Sequence, residues 1–323
     1  MTELCRASLW YSEHIEITDT KMHGIKALRE CRDVVIDNCD IISPEFGWSV
    51  NGIQMKHSTA ESEYFMMRVT DLNFSDVQFK GKYSFQYIKN AVFDNCVLDT
   101  KDAFWHSENV TVKNSVVKGE YLAWYSDGLT LINCKIIGTQ PLCYCKNLTL
   151  INCEMVDTDL CFERSEVQAI LTSSVDSIKN PLSGWIQVTE VGEIIMDVAE
   201  ATGKVMISDV DAQTEEFQKT VSENKEFVKE FIQNEIPQIQ VASFYDTCFL
   251  RLNFVRMIGN GMEAVSYIKE KTGVYFSYGK QNGQGGNEFL RINTACSRSV
   301  LERSLQQLKA GITAYEKFCV ERC

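Results

Sequence analysis

One spacing constrains this chain more than anything else, a step of 19 residues. Asn-Cys or Asn-Ser pairs fall at Asn38-Cys39, Asn95-Cys96, Asn114-Ser115, Asn133-Cys134 and Asn152-Cys153. The last three steps are single repeats and the first is three repeats long. The same register places Asp19, His57 and Asp76, all turn-compatible, in the remaining rows. Two residues earlier the column reads Ile17, Ile36, Met55, Phe74, Phe93, Val112, Leu131 and Leu150. Four earlier it reads Ile15, Val34, Ile53, Leu72, Ala91, Val110, Leu129 and Leu148. Three after it stand Met22, Ile41, Ala60, Phe79, Leu98, Val117, Ile136 and Met155. No polar residue interrupts any of the three columns.

Within each unit apolar and polar residues alternate, as in Val110-Thr111-Val112 and Leu129-Thr130-Leu131. Period two is a strand signal. Ahead of the strand runs His14, Asp33, Gly52, Asp71, Asn90, Asn109, Gly128 and Asn147, the types that a left-handed turn conformation accepts. Short strands and fixed corners in a constant repeat predict one coil of a parallel β-helix per unit. The crossover preference makes it right-handed. After Asn152 the register fades. Val167, Ala169 and Leu171 stand off it, Asp176–Pro181 reads as a break, and Gly184–Ile207 reads as strands that close the open end.

Charge separates this region from the rest. The chain of 323 residues carries net charge −12. Residues 210–323 hold 14 basic and 14 acidic residues, so the whole excess lies in 1–209, together with all four histidines. We therefore expect two domains, 1–209 and 210–323. An acidic balance argues against nucleic acid and anionic membrane as partners. No run of about 18 uncharged apolar residues suggests a membrane span. The opening residues Met1–Ile17 lack the basic end and apolar core of a secretory signal. Thirteen cysteines without such a signal read as mostly reduced thiols, and the expected location is cytoplasmic.

From Val210 onward helical spacing replaces the coil repeat. Phe217, Val221, Val228, Phe231 and Ile232 form one apolar stripe that Pro237 ends. Leu301, Leu305, Leu308, Ile312 and Tyr315 form another. Between them lie strand-like runs at 248–254, 274–276 and 289–293, the last two joined by a Gly-rich loop, 279–286. The order predicts a small α/β domain.

Candidate sites follow from the columns. Asp99 and Lys118 share one column on neighbouring coils, and so do Lys101 and Glu120, with Asp102 adjacent. β-Helices can present acids and bases on one outer face, so Asp99, Lys101, Asp102 and Glu120 form the candidate surface site. An ordinary solvated ladder of opposite charges is the preferred alternative. Trp10, Trp48, Trp105 and Trp124 share a column, followed by Tyr11, Tyr87, His106, Tyr125 and Tyr144. One column is suited to stacking on sugar rings if exposed, but core packing around a corner is preferred. Cys134 and Cys153 occupy adjacent rungs, with Cys143, Cys145 and Cys161 nearby. Buried thiols are preferred there over a metal site, as they are for Cys319 and Cys323. The Gly-rich loop lacks the Lys-Ser/Thr ending of a phosphate loop. No catalytic or metal-binding motif is assigned.

Two resemblances add to this. The stretch from DAFW through GEYLAW to LCY, within about Ala7–Ile207, resembles an uncharacterised bacterial β-helix family, a domain of unknown function. That implies the fold and no chemistry, and the chain opens in mid-register at Ser8-Leu9-Trp10-Tyr11. The segments ENKEFVKEFIQNEIPQIQV, TCFLRLNF and FSYGKQNGQGGNEFLRINTACSRSVLERSLQQLKAGI, within about Phe217–Ala314, resemble another family. They look like the C-terminal small domain of MalY/PatB-type pyridoxal-phosphate (PLP) cystathionine β-lyases, of the aminotransferase fold. By that resemblance Arg291 grips a substrate α-carboxylate, as a planar guanidinium suits. The family's cofactor lysine lies in a large domain for which this chain has no counterpart. The expected protein is a β-helix scaffold or binding protein of unknown ligand, fused to a small domain that does not catalyse alone. The alternative is a PLP-dependent C–S lyase or aminotransferase whose partner chain brings the large domain; the expected partners are such a large domain or further copies of this chain in a homo-oligomer. A carbohydrate-binding or carbohydrate-active β-helix is the weaker third.

Overall fold

Alternating side chains put Val110, Val112, Leu129 and Leu131 on one side of their strands, and those four are buried. The structure, a computed structural model, describes residues 8–208, 210–243, 249–253, 261–272, 277–278, 289–294 and 298–321. The chain divides into two compact units, Met1–Gln213 and Thr214–Cys323.

The first unit is a parallel β-solenoid of about ten turns. Its long-strand face starts at Glu13–Thr18, Arg32–Asp37 and Asn51–Lys56 and ends at Ser183–Val188 and Lys204–Ile207. The register advances by one repeat per coil, as in Ile15 against Val34 and Val110 against Leu129. A short-strand face stacks Lys21–His23, Asp40–Ile42, Thr59–Ser62 and their successors. In the early coils a third face holds Lys26–Arg29, Glu45–Trp48 and Tyr64–Phe65.

Inside, one column of apolar side chains runs from Ile17 to Val188. Its centre is a phenylalanine ladder. Phe65 stacks on Phe79 at 4.6 Å, and Phe85 stacks on Phe104 at 5.2 Å. Such ring pairs contribute about 0.5–1.5 kcal/mol each beyond their area.

The coils continue past Asn152 instead of breaking. Leu148 pairs with Val167, and Val167 with Gly184. A register shift between Leu150 and Cys153 absorbs the changed repeat length. Asp176–Pro181 belongs largely to a strand, Val175–Lys179, which pairs in parallel with Val191–Ile195. Ser183–Val188 and Lys204–Ile207 are further parallel rungs, so the expected closing strands are ordinary coils. Periodic spacing hid this because bulges change coil length without changing which residues face inward.

The second unit holds helix α1 (Val210–Glu235) from Thr214 onward, and helices α2 (Gly261–Thr272) and α3 (Arg298–Glu321). It also holds an antiparallel sheet in the spatial order Gln240–Ser243, Phe249–Asn253, Phe289–Asn293, Ser277–Tyr278. Val228 and Ile232 from α1, Ile268 from α2, and Leu301, Leu305, Leu308 and Ile312 from α3 share a core with Leu250, Leu252 and Ile292. The strand expected at 274–276 and the Gly-rich loop 279–286 lie outside the described residues.

Candidate functional site

Every coil turns its corners through left-handed residues. The column His14, Asp33, Gly52, Asp71, Asn90, Asn109, Gly128, Asn147 has positive φ throughout, as its residue types suggest, and so does the asparagine column. Asparagine side chains join coil to coil: Asn38 Nδ2 donates to Asp19 at 2.6 Å, Asn152 to Asn133 at 2.9 Å, and Asn90 to Asp71 at 3.0 Å. Asn and Asp adopt this conformation at least cost, and the ladder offsets what remains.

The candidate surface site lies where the short-strand face turns toward the third face. Lys101 Nζ sits 2.8 Å from Glu120 and Lys118 Nζ sits 3.6 Å from Asp99, so both column pairs form coil-to-coil ion pairs. The hydrogen bond to Glu120 raises the Lys101 pKa, and its ammonium also lies 5.4 Å from the Tyr121 ring centre. Asp102 differs from its neighbours. It is buried and left-handed, and its backbone N–H donates to the Glu120 carbonyl at 3.0 Å. Its own carbonyl accepts from Gln86 Nε2 at 2.8 Å. Burial pushes the Asp102 carboxyl above its ordinary range. Asp99 lines a shallow groove of about 450 Å³ with Ile42, Glu61, Glu63, Lys80 and Lys82. Lys80 stands in register between Glu61 and Asp99, and Lys82 pairs with Glu63 at 2.6 Å.

The aromatic columns fall outside the core, contrary to the preference for core packing. In coils past Phe65 the third face is no strand. Phe85, Phe104, Ala123 and Leu142 are left-handed and buried. The Trp column beside them is half-buried, and of the next column Tyr87, His106 and Tyr125 are exposed. Each Trp indole N–H donates to a carbonyl on the following coil: Trp10 to Lys26, Trp48 to Tyr64, Trp105 to Tyr121 and Trp124 to Gln140. Arg29 lies between two of these rings, 5.4 Å from Trp10 and 5.0 Å from Trp48. Outside them Tyr87, His106, Tyr125 and Tyr144 form a continuous stack, with centroids 5.0, 5.0 and 4.8 Å apart and planes within 13°. Near-parallel rings that close cannot lie side by side, so their faces overlap. Between neighbours the stacking surface a sugar ring would need is already used, and Arg68 lies 5.6 Å from the Tyr87 ring centre at one end of the stack. The strand-alternation rule missed this arrangement. The mostly apolar column directly before the Trp column, with Leu28, Met66, Phe85, Phe104 and Leu142, was the signal for it.

The solenoid cysteines Cys31, Cys39, Cys96, Cys134, Cys143, Cys145, Cys153 and Cys161 are free and buried. Burial lifts Cys96 and Cys145 to about 11 and Cys143 to about 12. Cys134 is lowered by a hydrogen bond from Cys153. Among the described residues no group of His, Cys, Asp and Glu is placed to share a metal ion. No described helix is long and apolar enough to cross a membrane. Arg291 stands in the strand Phe289–Asn293, opposite Arg251 on one side and Ser277 on the other. It belongs to the second unit, and its side chain lies outside the described residues.

No curated protein matches the chain. One solved structure, described as a PLP-bound aminotransferase from Clostridium difficile 630 crystallized with magnesium formate, is similar to part of it. The identity is 29% over 32% of this chain and 26% of that one, with a TM-score of 0.31. The chain thus spans about a quarter of that structure's length. Residues 1–208, the parallel solenoid with its corner ladders, match the model of a protein family of unknown function, DUF3737. The chain belongs to the DUF3737 family.

Proposed function

We propose that this protein is a β-solenoid scaffold or binding protein, carrying after residue 209 a small α/β domain of aminotransferase type that does not catalyse on its own. The observation that carries the reading is mutual closure of the outer side chains. Asp99 and Glu120 answer Lys118 and Lys101, and the ring faces of Tyr87, His106, Tyr125 and Tyr144 answer one another. Side chains tied coil to coil stiffen a surface and hold it in one shape, which suits a platform more than a reacting centre.

A resident PLP does not fit the residues present. Residues 13–207 are solenoid coils, and eight of their thirteen lysines, Lys26, Lys82, Lys89, Lys101, Lys113, Lys118, Lys135 and Lys179, are drawn into surface ion pairs. Arg291, by its resemblance, offers a carboxylate grip and nothing of the cofactor's lysine. An absorbance scan of the full chain mixed with PLP and then dialysed tests this. The expected result is no Schiff-base band at roughly 420 nm. A band that survives dialysis, or one that appears only with a partner chain, overturns it in favour of a PLP-dependent C–S lyase or aminotransferase.

A second reading rests on Asp102, the one candidate carboxylate whose burial favours the protonated form. A carboxyl raised by burial beside a second carboxylate, Glu120, is the pairing that glycoside chemistry uses. Release of reducing ends from acidic or neutral polysaccharides that is lost in Asp102→Asn would favour it. No release ends it.

A further inference from the structure

We propose that the solenoid associates head to tail with further copies of this chain, the strand Lys204–Ile207 of one copy pairing with Glu13–Thr18 of the next. Among the described residues each of these strands has one strand neighbour, Ser183–Val188 for the first and Arg32–Asp37 for the second. Among those residues each therefore has one parallel edge with no strand partner. Ser208 N–H donates to the Val188 carbonyl at 3.2 Å. By the alternation of a strand, the N–H and C=O of Val205 and Ile207 then point away from the sheet. The core is open at the same two places. Its partly buried hydrophobic members are Ile15 and Met22 in the first coil and Val191 and Val205 near the last. Met206 and Ile207 are 39% and 64% exposed.

The two ends also match in register. Coil by coil the pairings carry Glu16 to Val35, Gln54, Asn73, Val92, Thr111, Thr130, Thr149, Gln168, Trp185 and finally Lys204. The neighbouring column runs from Ile17 to Val205. One further step of about 4.8 Å would set Lys204 of one copy against Glu16 of the next and Val205 against Ile17. That is a charge pair beside an apolar pair, on an edge that otherwise leaves backbone groups unmatched. The contact is heterologous, so it generates an open series of lengths and no closed dimer.

Sedimentation velocity of the full chain across a concentration series tests this. The expected pattern is a ladder of species that lengthens with concentration. Lys204→Glu or Glu16→Lys alone should weaken association about fivefold, and the double exchange should restore it. Ile207→Pro removes an outward N–H and no inward one, and should leave monomers with unchanged circular dichroism. If that variant fails to fold, the charge exchange decides alone. Monomer at every concentration, as a cap made by the chain's own residues would produce, overturns the proposal. So does association that neither charge variant weakens.

Discussion

A cysteine after the corner asparagine does what a serine does there. Cys39, Cys96, Cys134 and Cys153 each direct Sγ at the carbonyl two residues back, at 3.2 to 3.4 Å. Ser58 and Ser115 do so through Oγ at 2.6 Å. The thiol column was visible in the spacing, while its donor role needed the turn geometry. Its burial has a pH consequence. Cys96, Cys143 and Cys145 have folded-state values of about 11, 12 and 11, against 9.0 for an ordinary thiol. Below pH 9 both states hold these protons and the thiols contribute no pH dependence. Above it the unfolded chain loses protons that the folded chain keeps, so stability falls. Three thiols give a slope of about 4 kcal/mol per pH unit between 9 and 11. Urea titrations across that window should show it, with the eight buried solenoid thiols resisting alkylation at pH 8 until the chain unfolds. A flat profile, or labelling of Cys96 in the folded protein, would refute the assignment.

At the scale of one coil, the corner after the short strand is set by backbone approach. A Cβ on Gly119, whose φ is +154°, would lie 1.3 Å from the Thr100 carbonyl oxygen, and one on Gly138 would lie 2.4 Å from Gly119's oxygen. Thr100 itself occupies this column one coil earlier and turns inward to Ser84 at 2.5 Å. Gly119→Ala must therefore move backbone, and we expect a loss of about 2–4 kcal/mol, measured by chemical denaturation. Asp99→Ala on the exposed short strand should cost under about 1 kcal/mol in the same assay. Equal effects would show that the corner has room to adjust. The His14-to-Asn147 turn column was legible because Gly, Asn and Asp advertise positive φ. The columns through Phe85, Phe104, Tyr87 and Tyr125 were not, because bulky residues almost never adopt it. Here stacking against the neighbouring coils holds them in it, and no local residue preference records that.

For the molecule as a whole, each coil leans on its neighbours and the second unit has its own core, drawn from α1, α2, α3 and the strands Phe249–Asn253 and Phe289–Asn293. We expect domains at 1–209 and 210–323, so limited proteolysis of the full chain should leave a resistant solenoid fragment ending near residue 209. Rapid cleavage inside the coils, or a single resistant full-length species, would count against that division. By itself the sequence determined the solenoid, its inward columns, its asparagine and charge ladders and the helical stripes of the second unit. All of these are periodic, and periodicity is a local record of which side chains face a core. Tertiary structure alone decided that the coils run on to Ile207, that ring faces are spent on one another, and that Asp102 is buried where Asp99 is not. Those outcomes depend on what the next coil places about 4.8 Å away, and a residue's own neighbours in the chain carry no record of that.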